Sequence, residues 1–398
     1  MRTHFFWVLA TLIITACNNK QKENDNTASD DSKIWNELPT VAAEVKTNGT
    51  TLMVCDWTAV KDSIHLPLSY FIEDLEIVKL DNKDEALVRN SSVTVSDNYI
   101  LIHCSQNIPF KLFDRKGKFL RNIGSVGNGP GEYVYLSSVV YHPKDSTIRV
   151  FDNGSHKYII YSKEGKLFRE INLVDSELNY LLHAEGDTYF CSGSFSNGKS
   201  EIIVSDTALR VKSSILPFDP TDDYVTRGGI MLTTSVQRCG PKLCLFNHIY
   251  SDSVFLLTPD GLKPEFILRK GKYAPSLDDV KQFMKWNKND SFAKGFSIKT
   301  FPGYYLVQYS YKDKFFGEIW SKETNQIVSR TVLTRPDMFS SYRGIPYRFP
   351  SGTTIKLLPA YINGNKIAFF IPADEAAGEI PGVKISEDDN PIVMILEL

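Results

Sequence analysis

Beyond its first forty residues the chain is a succession of short apolar runs, rich in Val, Ile, Phe and Tyr and broken by turn residues. Runs of about four to eight such residues between Gly, Asp, Asn and Ser clusters are the signature of strands joined by tight turns. Two stretches repeat closely: ILIHCSQNIPFKLFDRKGKFLRNI, residues 100–123, and IRVFDNGSHKYIIYSKEGKLFREI, residues 148–171. Ile100 matches Ile148, Gly117 matches Gly165 and Ile123 matches Ile171, each 48 residues on. Two further steps from Gly165 lead to Gly261, in SVFLLTPDGLKPEFIL. The copy between, SEIIVSDTALRVKSSIL, keeps the strand-turn-strand shape with Asp206 and Thr207 in its turn but has no glycine there. Later copies, around FFGEIWSKETNQIVSRTVL and KIAFFIPADEAAGEI, are stretched. Helical spacing is confined to SLDDVKQFMKWNKND, residues 276–290, where Leu277, Val280, Phe283 and Met284 share a face and Ser276 can cap. The pattern predicts one short helix in an otherwise all-β chain.

A period of about 40 to 50 residues with several strands per unit predicts a β-propeller, each unit one four-stranded sheet. The length remaining after the N-terminal region accommodates six four-stranded antiparallel blades, with seven as the alternative. A sandwich or a pair of barrels does not account for the regular step. The early segment LEIVKLD and the terminal segment PIVMILEL both read as strands. Pairing them within one blade would close the ring and remove two exposed edges.

The first sixteen residues follow another pattern. Arg2 and His4 precede an apolar run, Phe5 to Ala16, that stops at Cys17. Twelve residues are too few to span a bilayer, which takes about 20 in a helix, but they suit an export signal. The polar stretch that follows, NNKQKENDNTASDDSK, offers almost nothing to bury and predicts a disordered tether. The expected organisation is a signal peptide at 1–16, Cys17 with its tether at 17–40, and a propeller at 41–398.

Charge excludes one class of partner. The chain has 45 Lys and Arg against 47 Asp and Glu, and no basic stripe is visible, so a nucleic-acid surface is not expected. Apart from Cys17 there are five cysteines at wide spacings that match no zinc pattern, and Cys239 and Cys244 are the one pair close in sequence. No disulfide and no cofactor are predicted.

Residues 123–171 contain a G-x-GPGE-aromatic loop, then V-x-D with an Asn, then a S-x-x-G turn, and so closely resemble an NHL-type propeller blade. Ile14-Thr15-Ala16-Cys17 resembles a bacterial lipobox. Together with the tether, the EIVKL strand and the GNGPGEY loop, the chain resembles a family of lipid-anchored six-bladed propellers, related to NHL and TolB-like proteins, in Gram-negative bacteria. That resemblance implies lipidation at Cys17 and an outer-membrane address on the periplasmic or cell-surface side. It implies hardly any chemistry.

Candidate site residues follow from the fold. Turns between second and third strands share one face with the inter-blade crossovers, and this funnel is the expected binding surface by analogy with other propellers. Asp152, Asn153, His156 and Lys157, and His248 and Tyr250, fall at second-strand ends. The insertion SSYRGIPYRFPSG adds Tyr342, Arg343, Tyr347 and Arg348, whose rings and guanidinium groups suit sugar rings, flat ligands or carboxylates. Gly127, Gly129, Pro130, Gly131 and Glu132 form no phosphate loop, because Glu132 and Tyr133 stand where a Walker sequence needs Lys and Ser or Thr. They predict a structural crossover in which Glu132 caps backbone donors. Neither H-E-x-x-H nor G-x-S-x-G occurs. The expected function is non-catalytic binding of a small molecule, glycan or protein at the cell envelope. The alternative is a metal-dependent hydrolase or lyase of NHL-like type, with a divalent cation held in the channel by Asp152 and His248.

Overall fold

In a computed structural model of the chain, the repeated turns of the sequence are one turn repeated in space. The structure describes residues 42–47, 50–56, 67–72, 75–88, 91–104, 108–174, 176, 178–193, 202–215, 234–238, 244–248, 252–270, 274, 294–301, 303–311, 314–323, 327–333, 344–357, 359–363 and 366–397. Gly117 and Gly165 adopt φ of 84° and 79°. Their N–H groups donate to Asp114 O at 3.0 Å and Ser162 O at 2.9 Å. In the copy without glycine, Leu209 adopts φ 64° and donates to Asp206 O at 2.9 Å. Asp114 Oδ1 accepts the N–H groups of Lys116 and Lys118, as Asp206 Oδ1 accepts those of Ala208 and Arg210. A left-handed leucine costs about 1–2 kcal/mol. Packing of Leu209 against the cluster that contains Tyr158, Leu173 and Tyr189 offsets that strain.

The strands between these turns form blades. Blade A comprises Ser91–Val95, Tyr99–Cys104, Phe110–Asp114 and Phe119–Ile123. Blade B comprises Leu136–His142, Thr147–Asp152, Lys157–Ser162 and Leu167–Asn172. Blade C comprises Leu178–Glu185, Thr188–Gly193, Ile202–Asp206 and Val211–Ile215. Blade D comprises Lys294–Phe301, Tyr304–Tyr311, Lys314–Ser321 and Ile327–Leu333. A closing blade is ordered Pro359–Asn363, Lys366–Ile371, Ile392–Glu397 and Leu75–Lys79. In all five, neighbouring strands are antiparallel.

The all-β propeller expected from the repeat is therefore present, but five regular four-stranded blades replace the six or seven expected. The difference lies in the remaining large sheet, which has six strands. Thr234–Arg238, Cys244–His248, Ser253–Thr258 and Gly261–Arg269 follow each other in order. An N-terminal hairpin, Ala42–Thr47 and Thr50–Asp56, then adds to their outer edge, pairing parallel from Met53↔Phe266 to Asp56↔Arg269. A hairpin whose strand pairs with residues 213 positions further on, as Met53 does with Phe266, leaves no trace in the repeat, so sequence spacing could not place it. The short helix expected at 276–290, the tether and Cys17 lie outside the described residues.

Burial explains why the strands read as near-continuous apolar runs. Alternate residues of one strand face two different blades, and both faces are covered. Ile100 and Ile102 join Val78, Ala368, Val393 and Ile395 of the closing blade. Leu101 instead joins Ile148, Val150 and Ile159 of blade B. Phe151 and Tyr158 of blade B meet Leu181 and Tyr189 of blade C, and Phe190 and Val204 of blade C share a cluster with Leu257 of the six-stranded sheet. Period-two packing in both directions is what makes sheets stand face to face.

The expected closure is also present: Leu75–Lys79 pairs antiparallel with Ile392–Glu397, from Leu75↔Leu396 to Lys79↔Ile392. Lys366 Nζ bridges Asp97 of blade A and Glu397 at 2.7 and 2.8 Å. Gly117 abuts the same seam, because a Cβ there would sit 2.1 Å from Lys79 O. A Cβ at Gly261 would meet nothing within 4 Å. Gly117→Ala should therefore lose about 2–4 kcal/mol, from left-handed strain plus a backbone clash, and more than Gly261→Ala, which meets no clash but loses about 1–3 kcal/mol to the strain of its φ of 128°. Urea denaturation of both variants checks the difference.

Candidate functional site

The GPGE crossover between blades A and B is built by side chains that satisfy its backbone. Glu132 accepts the Gly129 N–H at 2.8 Å and the Ser125 hydroxyl at 3.2 Å. Gly131, at φ 68°, donates to Glu170 Oε2 at 2.7 Å and accepts from the Tyr161 hydroxyl at 2.8 Å. Lys157 Nζ reaches Gly129 O and Glu170 Oε1, each at 3.1 Å. Beneath the loop, the buried Tyr133 hydroxyl donates to Ile123 O at 2.9 Å and accepts the Phe110 N–H at 3.0 Å. Burial pushes the Tyr133 and Tyr161 phenols well above their ordinary range, so both act as neutral hydrogen-bonding groups.

Asp152 is the other organiser of this face. Only 1% exposed, its carboxylate accepts the N–H groups of Val134 at 2.9 Å, Tyr135 at 2.7 Å and Gly154 at 2.9 Å, and the Ser155 hydroxyl. Tyr135 O in turn accepts the N–H groups of Asn153 and Gly154 at 2.8 and 3.2 Å. His156 adopts φ 50°, and its carbonyl accepts the Leu173 N–H at 2.7 Å. The consequence lies at the surface: Val134 is 44% exposed, Tyr135 63% and Val174 63%. A Cβ at Gly154 would lie 2.8 Å from Val134 Cβ and 3.0 Å from Tyr135 Cβ, so the glycine is the floor on which both residues sit.

The structure thus brings Asp152, Asn153, His156 and Lys157 together with the GPGE loop, Asp152 and Lys157 as internal ties rather than open ligands. Tyr347 and Arg348 belong to a hairpin, Ile345–Arg348 paired with Thr354–Leu357. Tyr347 is buried edge-on to Phe349, whereas Arg348 is exposed and its N–H donates to Ser69 Oγ at 3.3 Å. His248 ends its strand, but its side chain, like Tyr250, Tyr342 and Arg343, lies outside the described residues. Among the described residues no three His, Cys, Asp or Glu side chains gather as a metal site, and no helix is long and apolar enough to cross a membrane. Cys104 and Cys191 are buried, and burial pushes the Cys191 thiol up to about 12.

Sequence reasoning passed over two polar clusters. In blade D, buried Glu318 accepts from Tyr309 at 2.6 Å, Trp320 Nε1 at 2.9 Å and Arg330 Nε at 2.7 Å. At the joint of blades B and C, Arg149 donates to Tyr189 Oη at 2.9 Å and to Asp145 Oδ2 at 2.6 Å. Burial opposes ionisation of Asp145, but hydrogen bonds from Thr147 and Arg149 and the Arg149 charge prevail, holding it down at about 2 against an ordinary 3.8. A depressed folded-state pKa contributes stability that is present above about pH 4 and lost as the pH falls towards 2. Asp145→Asn should therefore flatten the acid limb of stability, read as denaturation midpoints at neutral pH and near pH 3.

Comparisons with known proteins bear on the fold alone. The family model DUF4934, described as a domain of unknown function, matches residues 54–397. No curated protein sequence matches the chain. The crystal structure of a protein described as exported, from Bacteroides fragilis, is similar with a TM-score of 0.62 at 16% identity, over 84% of this chain and 98% of that one. A DUF4221 member from Bacteroides vulgatus follows, with a TM-score of 0.47 at 13% identity over 82% and 98%. The virginiamycin B lyase of Staphylococcus aureus has a TM-score of 0.38 at 12% identity over 82% and 99%.

Proposed function

We propose that this chain, which belongs to the DUF4934 family, is a non-catalytic envelope lipoprotein that binds a ligand or protein partner on the loop face of its propeller. In this reading Cys17 carries the lipid, residues 17–40 form the tether, and the domain stands at the outer membrane. Several acyl chains would hold it firmly, as one would not. The four consecutive strands at 234–269 count as the sixth blade, widened by the hairpin at 42–56.

One observation carries the binding role. Asp152, Glu132 and Lys157, the ionisable groups best placed for chemistry, spend their hydrogen bonds on backbone groups of the loops. That arrangement suits a rigid display surface better than proton or metal chemistry, since both Asp152 oxygens already have donors. The test has two arms. Cys17→Ala should move the chain from the membrane to the soluble fraction of cells. The purified protein should hold no stoichiometric divalent metal. A bound ion released by changing Asp152 and His248 would contradict the reading and favour a metal-dependent hydrolase or lyase.

A further inference from the structure

We infer that Tyr135 is a stacking platform for a pyranose sugar, with Asn153 and His156 as its polar flank and Asp152 as the residue that positions it. The inference rests on the binding role proposed above and names the ligand class for that face.

Three observations meet here. Tyr135 has 63% of its surface exposed although its backbone is tied on both sides: its N–H donates to Asp152 and its carbonyl accepts two N–H groups. An exposed aromatic on fixed backbone loses little conformational freedom on binding, which is what makes such rings effective contacts. Secondly, Gly154 packs flush under this residue, since a Cβ there would lie 2.7 Å from Tyr135 N, 2.8 Å from Val134 Cβ and 3.0 Å from Tyr135 Cβ. Thirdly, Asn153 and His156 lie within two residues of Gly154 on the same turn, and His156 is exposed.

The chemistry of this patch matches one ligand class. A pyranose offers an apolar C–H face for a flat ring and a rim of hydroxyls that need both donors and acceptors, which an amide and an imidazole supply. A stable protein interface would need about 1,000 Å² around a packed apolar centre, and at this turn Val134 and Tyr135 offer two exposed side chains. A carboxylate or phosphate ligand would need a free cation, and the nearby Lys157 is held by Gly129 O and Glu170.

Saturation-transfer NMR on the tethered full chain, with methyl β-glucopyranoside, methyl β-galactopyranoside and cellobiose as separate probes, tests this. The ring protons of at least one sugar should receive saturation, Tyr135→Ala should reduce it at least about fivefold, and Tyr135→Trp should keep it. Unchanged denaturation midpoints in both variants confirm that folding is intact. No transfer to any of the three sugars, or equal transfer in Tyr135→Ala, overturns the inference. Saturation of indole instead of the sugars also overturns it, and reassigns the patch to flat aromatic ligands. Release of the Cys17→Ala chain from the membrane reads the anchoring separately, so a failed sugar assignment is distinguishable from a failed envelope role.

Discussion

Asn390→Ala is expected to destabilise the chain by about 3–5 kcal/mol, a large part of the 5–15 kcal/mol typical of a folded domain. Asn390 is 1% exposed and stands just before the strand that closes the ring. Its Oδ1 accepts the Val88 N–H at 2.8 Å, and its Nδ2 donates to Asp81 O at 2.7 Å and Ala86 O at 2.9 Å. Its own N–H donates to Asn82 Oδ1 at 2.8 Å. One side chain therefore ties the C-terminal end to a segment 300 residues earlier. Alanine leaves the buried Val88 N–H and Ala86 O and the half-buried Asp81 O without this partner, each costing about 1–3 kcal/mol with partial relief from relaxation. Asn390→Asp keeps the acceptor but faces two carbonyls with a carboxylate, so it should not rescue. Urea denaturation followed by tryptophan fluorescence provides the measurement, and a midpoint shift below that of Gly117→Ala would contradict this view of the seam.

Asp152→Ala should cost a similar amount, about 3–5 kcal/mol, and its effect should be local as well as global. The Val134 and Tyr135 N–H groups lose the acceptor that holds them, while Gly154 keeps Tyr135 O as a second partner. Amide hydrogen exchange should therefore accelerate most at Val134 and Tyr135, before the rest of blade B opens. Asp152→Asn keeps one acceptor oxygen but turns an amide NH2 towards backbone donors, so it should lie between alanine and the native chain. Uniform acceleration across blade B would mean that Asp152 supports the blade rather than the loop.

The parts of the fold that were legible in the sequence are those set by local physics. Gly117 and Gly165 announce their turns because few other residues adopt that conformation without strain. LEIVKLD and PIVMILEL could be paired because each is an apolar run with no partner nearby in sequence. The widening of one sheet by residues 42–56 was not legible, because a strand carries no mark of which edge it will join. Asp152 at a strand end was compatible with a ligand or a cap, and only its neighbours' N–H directions decide between them. Tyr133 and Tyr135 stand two apart in GEYVY, yet one is buried and the other exposed. In an irregular crossover no period tells which is which. Tyr347 shows the converse, an aromatic in a polar insertion that the hairpin turns inwards.

The fold depends most on one seam, at which Leu75–Lys79 closes the ring on Ile392–Glu397. Val78 and Val393 are directly paired across that seam, and paired strand positions meet the Cα spacing that a disulfide needs. A Val78→Cys, Val393→Cys double variant, oxidised and run on a non-reducing gel, measures the closure. Closure predicts a bond within one chain, formed in nearly every molecule and protected until denaturation. Free thiols at both positions, or bonds formed only between chains, would contradict it.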